Sequence, residues 1–109
     1  MAREFTRVTS SGAMSITVSR GYQYSVEEVR LHCNSAPTTA ENFIITMVSG
    51  INSLYNTRLL STAMSGISNV FWQPEKEINI PTGDNFKCEW TNTDLVPWGI
   101  EIIARKGGA

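Results

Sequence analysis

Residues 13–19 alternate Met14, Ile16 and Val18 with Ser15, Thr17 and Ser19, a period of two that predicts a half-buried strand. Arg20-Gly21 interrupts it. The alternation resumes over residues 24–33 and is cleanest in the second half, where Val29, Leu31 and Cys33 oppose Glu28, Arg30 and His32. Residues 34–39 form a loop by composition. Residues 42–48 are apolar on both faces, with Phe43, Ile45 and Met47 against Ile44 and Val48, as expected of a central strand covered on both sides. Their β-branched density argues against a helical turn.

Ser49-Gly50 turns the chain, and residues 51–56 carry no clear period. Residues 58–63 and 69–73 read as two further strands, the second ended by Pro74, which cannot donate to a central ladder. Residues 77–80 alternate briefly. Pro81-Thr82-Gly83-Asp84-Asn85 is the strongest turn signal in the chain. Beyond it Phe86, Cys88 and Trp90 alternate with Lys87 and Glu89, and residues 98–105 set Trp98, Ile100, Ile102 and Ala104 inward, with Glu101 and Ile103 outward. Residues 1–12 are expected to be an arm or a short edge strand, with residues 1–8 dispensable for folding, and residues 106–109 a flexible tail. Seven or eight short strands in one domain over residues 13–105 make an all-β fold, an antiparallel β-sandwich or jelly roll.

Composition supports that reading and narrows the chemistry. Ser, Thr and Asn number 30, and Ile plus Val number 17 against 5 Leu, a balance rich in β-branched residues and turn formers. With 109 residues there is room for one core. Hydrophobic residues at 41%, charged residues at 17% and a net charge of -1 exclude a disordered polyion and argue against nucleic acid as a partner. No apolar run approaches the ~20 residues that span a bilayer, and residues 1–5 lack the apolar region of a signal peptide, so neither a membrane partner nor export is expected.

Candidate chemistry is thin. Cys33 and Cys88 each fall in an apolar alternation and read as buried thiols; with a single histidine they leave no ligand pair at metal spacing, and no metal or cofactor is expected. His32 lies on the outer side of its strand, and no serine occupies a nucleophile elbow. Glu27 and Glu28, as neighbours on a strand, point to opposite faces and make no acid pair. Phosphate-loop motifs are missing. The chain is not expected to be an enzyme.

Aromatic residues carry more information. Trp90 and Trp98 fall in the inward register, whereas Phe71 and Trp72 are adjacent, so one of them faces out. A protein contact suits the Ser, Asn and Gln around them better than a sugar does. Contact hot spots favour Trp, Tyr and Arg, which selects Arg3, Arg7, Tyr55 and Trp72 as partner-binding candidates. Arg3, Arg7, Arg105 and Lys106 concentrate basic charge in the terminal segments.

The run I-P-T-G-D-N-F-K-C-E-W-T-N-T-D, followed by W-G-I-E-I-I, resembles a pattern of small β-sandwich proteins of tailed bacteriophages and prophages. Those proteins include the jelly-roll cement, staple and decoration proteins of capsids. The resemblance covers residues 80–103 and implies a virion structural protein, made in the host cytoplasm, that clamps the major capsid protein. A homo-oligomer on the particle surface is compatible with it. The alternative is a carbohydrate-binding module of a phage tail or prophage product, with a glycan as ligand on an exposed tryptophan.

Overall fold

The computed structural model describes residues 3–107. Among the described residues nine strands follow one another: β1 Arg3–Ser10, β2 Met14–Ser19, β3 Tyr24–Cys33, β4 Asn42–Val48, β5 Thr57–Ala63, β6 Asn69–Trp72, β7 Ile78–Ile80, β8 Asn85–Trp90 and β9 Trp98–Lys106. All pairings are antiparallel. One sheet has the order β1-β9-β3-β6, with β7 also on β3, and the other has the order β2-β8-β4-β5.

The pairs are nested. β4 pairs with β5, β3 with β6 and β7, β2 with β8, and β1 with β9. The chain is thus one long hairpin wound into two sheets, which is the jelly-roll topology. β6 and β7 share one position in it. β6 meets Val29–His32 and β7 meets Tyr24–Val26, and the residues between them include Pro74, which cannot extend a ladder.

The inward positions of both sheets form the core. Val26, Val29, Leu31, Ile100 and Ile102 from one sheet meet Phe43, Ile45, Phe86, Cys88 and Trp90 from the other. These apolar faces have no other cover, so their burial drives the sheets together. Two indole or phenol groups that enter the core keep their hydrogen bonds: Tyr24 Oη donates to Val18 O at 2.9 Å, and Trp98 Nε1 donates to Gly12 O at 2.8 Å.

Several expectations need correction. Of the two readings of residues 1–12, the edge strand holds and the arm does not: β1 lies at the edge of its sheet and pairs with β9 along its whole length, from Arg3 opposite Arg105 to Ser10 opposite Trp98. The alternation of exposed and half-buried residues in β1 is faint in the sequence because the half-buried ones, Glu4, Thr6 and Val8, are mostly polar. Lys106 belongs to β9, and Gly107 N–H donates to Gln23 O at 2.7 Å; the last two residues of the expected tail lie outside the described residues. Glu27 and Glu28 do not point to opposite faces. The register of β3 on β9 slips between Val26 and Glu28, and this bulge turns both carboxylates outward, Glu27 to Arg3 and Glu28 to Arg30. Ile103 does lie on the outer side, but it is buried there between its cross-strand neighbours Phe5 and Glu28.

Candidate interaction site

The loop joining β4 to β5 sets apolar side chains in water. Ile51 is 87% exposed, Leu54 88% and Tyr55 67%. Isolated exposed apolar residues are ordinary, but three within five residues on one loop are a patch.

The loop is held by its own polar side chains and by Asp84 from the turn before β8. Ser49 N–H donates to Asn56 Oδ1 at 2.8 Å and closes the base. Ser49 Oγ accepts from the amides of Ile51 and Asn52, and Asp84 Oδ1 accepts from Gly50 N–H at 2.9 Å. Asn52 caps a 3-10 turn over Ser53–Tyr55: its side chain accepts from Leu54 N–H at 2.9 Å, and its carbonyl accepts from Tyr55 N–H at 2.9 Å. With these backbone donors satisfied, the apolar side chains project from a fixed frame.

That arrangement has an energetic consequence. Burying an exposed Leu or Ile side chain contributes about 1.5–3 kcal/mol, and here the fold uses none of it. A partner that covers Ile51, Leu54 and Tyr55 gains that free energy, and an already ordered loop loses little entropy on binding.

A second exposed region is the outer face of the five-stranded sheet. Arg7, Glu101, Arg30 and Phe71 stand in one row across β1, β9, β3 and β6. Arg7 and Arg30 both donate to Glu101, and Arg30 also donates to Glu28. Exposed ion pairs of this kind add little stability, but they leave the arginines neutralised. Phe71 is 62% exposed, and Phe5 lies half-exposed under the Arg7 guanidinium, 5.0 Å from ring centroid to Cζ.

The four sequence-predicted contact residues are scattered. Tyr55 belongs to the apolar loop. Arg3 and Arg7 are exposed on β1 and paired with Glu27 and Glu101. Trp72 is the exception. It packs against the core, 6.2 Å from the Phe86 ring, and Phe71 is the member of the pair that faces out. Ile51 and Leu54 were missed because residues 51–56 carry no period. The available signal was different: large apolar residues inside a segment of turn formers.

Titratable groups elsewhere are built into the fold. His32 Nδ1 is 2.6 Å from Asn69 Oδ1, and Glu28, which could have oriented the imidazole, is taken by Arg30. Burial pushes the Cys88 thiol up to about 12 and raises that of Cys33. Among the described residues no three His, Cys, Asp or Glu side chains gather to hold a metal. A shallow cavity of about 260 Å³ is lined by Asn42, Ile44, Glu89, Trp90 and Thr91, but Trp90 is buried and offers no open ring face.

No family model matches the chain, and no curated protein matches it. Among solved structures, a chain from the structure of infectious bursal disease virus Gx strain is similar over 98% of this chain, with 15% identity and a TM-score of 0.38. The match covers 33% of that viral chain, so this chain spans about a third of its length.

Proposed function

We propose that this chain is a structural protein of a tailed-phage virion that binds the major capsid protein and stabilises the shell. The observation that carries the reading is the ordered loop with Ile51, Leu54 and Tyr55 exposed. A protein whose work is contact needs an apolar anchor in a fixed frame, and this one has it. Two general considerations support the reading. The motif of residues 80–103 resembles phage β-sandwich proteins, and jelly rolls recur in viral shells.

In this reading the loop seats in an apolar recess of the shell, and water leaves the three side chains. Charge plays a minor part, because Arg3 and Arg7 are already paired within the chain. The protein would reside on the virion after synthesis in the host cytoplasm.

Co-sedimentation with empty capsids of the phage that encodes the chain tests this. The wild-type protein is expected to pellet with capsids. The Ile51→Ser/Leu54→Ser variant should bind about tenfold or more weakly, with unchanged thermal unfolding. Jelly rolls also serve as lectin domains, so a glycan array is run beside it. No capsid binding, or selective glycan binding instead, overturns the proposal.

A further inference from the structure

We infer that β1 is a self-association edge, pairing antiparallel with β1 of a second copy of this chain about a two-fold axis through Thr6. This stands apart from the capsid reading, because it rests on a different element and needs no phage component.

β1 ends the order of its sheet, so β9 satisfies only one side of its backbone. An open strand edge is a template for another strand unless something blunts it. The other edges are blunted or poorly furnished. β6 and β7 have 4 and 3 residues, with Pro74 between them. The pairing of β5 with β4 slips between Ile45 and Thr46. β2 has 6 residues and offers only Ser15, Thr17 and Ser19 on its outer side.

β1 has 8 residues in unbroken register with β9 and contains neither Pro nor Gly. Its charges are already compensated. Arg3 pairs with Glu27, Arg7 with Glu101, and Glu4 takes Arg20 and Tyr22. The charges that commonly guard an edge therefore oppose a second copy only in registers that set like charges directly against each other.

Side-chain alternation selects the register. Opposed residues in an antiparallel pair share a face, and Arg3, Phe5, Arg7 and Thr9 lie on the outer one. A two-fold axis must therefore pass through a residue. At Phe5 it would oppose Arg3 to Arg7, and at Arg7 it would oppose Arg7 to itself; both set like charges together. At Glu4 it opposes two carboxylates, and at Val8 it leaves a shorter overlap. Thr6 avoids all of these. With the axis there, Phe5 meets Arg7 of the second copy at both ends, Glu4 meets Val8, and Arg3 meets Thr9. The Arg7 guanidinium over the Phe5 ring already shows that this pair is compatible.

Sedimentation velocity of the full chain over a concentration series should reveal a species of twice 12.1 kDa. Phe5→Arg, which opposes Arg to Arg7 across the axis, should weaken the dimer by about tenfold. Thr6→Cys gives an independent reading that does not depend on how well Phe5→Arg folds. It sets two thiols on the axis, while Cys33 and Cys88 stay buried. Under mild oxidation it should cross-link much faster than Ser61→Cys, an exposed position on β5. A chain that stays monomeric at every concentration overturns the inference. So does a dimer in which Thr6→Cys cross-links no faster than Ser61→Cys.

Discussion

Gly50 and Gly83 meet where the β4–β5 loop crosses the turn before β8: a Cβ on Gly50 would stand 2.2 Å from the carbonyl oxygen of Gly83. The neighbour is backbone, and Asp84 ties the two segments together by accepting from Gly50 N–H. Gly83 in turn has φ +94, the left-handed conformation its turn requires. The apolar loop is therefore seated on a glycine contact that no side chain can enter without displacing it.

Gly50→Ala should destabilise the domain by about 1–3 kcal/mol, the range for forcing an extra methyl into a filled space. Gly21→Ala is the control, since its Cβ would meet nothing within 4 Å. Urea denaturation compares them. Amide chemical shifts should move for Ile51 to Tyr55 in the first variant and stay put in the second. Equal stability of the two would mean that the loop has room to slide.

Acid should loosen the opposite end of the sandwich through Asp94. Its carboxylate accepts from the amides and hydroxyls of Thr38 and Thr39, and the Thr39 hydroxyl is the leading cause that lowers its pKa from 3.8 to about 2. A depressed folded-state pKa adds stability above the unfolded value and loses it as pH falls through the folded one. The gap in urea midpoint between wild type and Asp94→Asn should therefore be full above pH 4 and close between about pH 4 and pH 2. A gap that persists at pH 2 would assign the effect of the substitution to geometry rather than charge.

Much of this fold was legible because a period of two survives wherever one face is buried and the other wet. β2, β8 and β9 show it residue by residue, from Met14, Ile16 and Val18 to Trp98, Ile100 and Ile102. β1 was obscured because its half-buried side holds Glu4 and Thr6, which find partners in Arg20 and Tyr22 rather than in apolar contacts. The bulge at Glu27 left no trace in composition. Trp72 and Phe71 could not be ranked from adjacency alone: the pairing of β6 with β3 decides it by setting Trp72 opposite Val29 and Phe71 opposite Arg30. The loop at 51–56 was the hardest part, since an apolar residue in a turn looks the same whether it folds inward or stands free.

Removal of residues 1–8 gives a direct test of β1. The strand supplies Val8 to the core, covers Ile103 through Phe5, and fills one side of the β9 ladder. Domains of this size have only about 5–15 kcal/mol of net stability, so loss of Arg3 to Val8, most of an eight-residue strand, should abolish cooperative thermal unfolding. Circular dichroism of the truncated chain reads it. A melt at the wild-type temperature would show that β1 is an ornament on the fold rather than part of it.

Register in β8 can be tested by two substitutions three residues apart. Trp90 points into the core and is 2% exposed, whereas Lys87 lies on the outer side of the same strand and pairs with Glu89 at 3.3 Å. Trp90→Ala removes a large buried ring between the sheets and should cost about 3–5 kcal/mol, since a close-packed core relaxes only partly around the space left. Lys87→Ala gives up one exposed ion pair and should stay within about 0.5 kcal/mol. Chemical denaturation of both variants decides between registers, because a slip by one residue would carry every side chain of β8 to the other face. In a slipped strand Lys87, Glu89 and Thr91 would face the core while Phe86, Cys88 and Trp90 met solvent, and Trp90→Ala would then be the mild substitution. Alkylation supplies a second reading from the same strand: Cys88, buried and with its thiol pushed up to about 12, should react only as the protein unfolds.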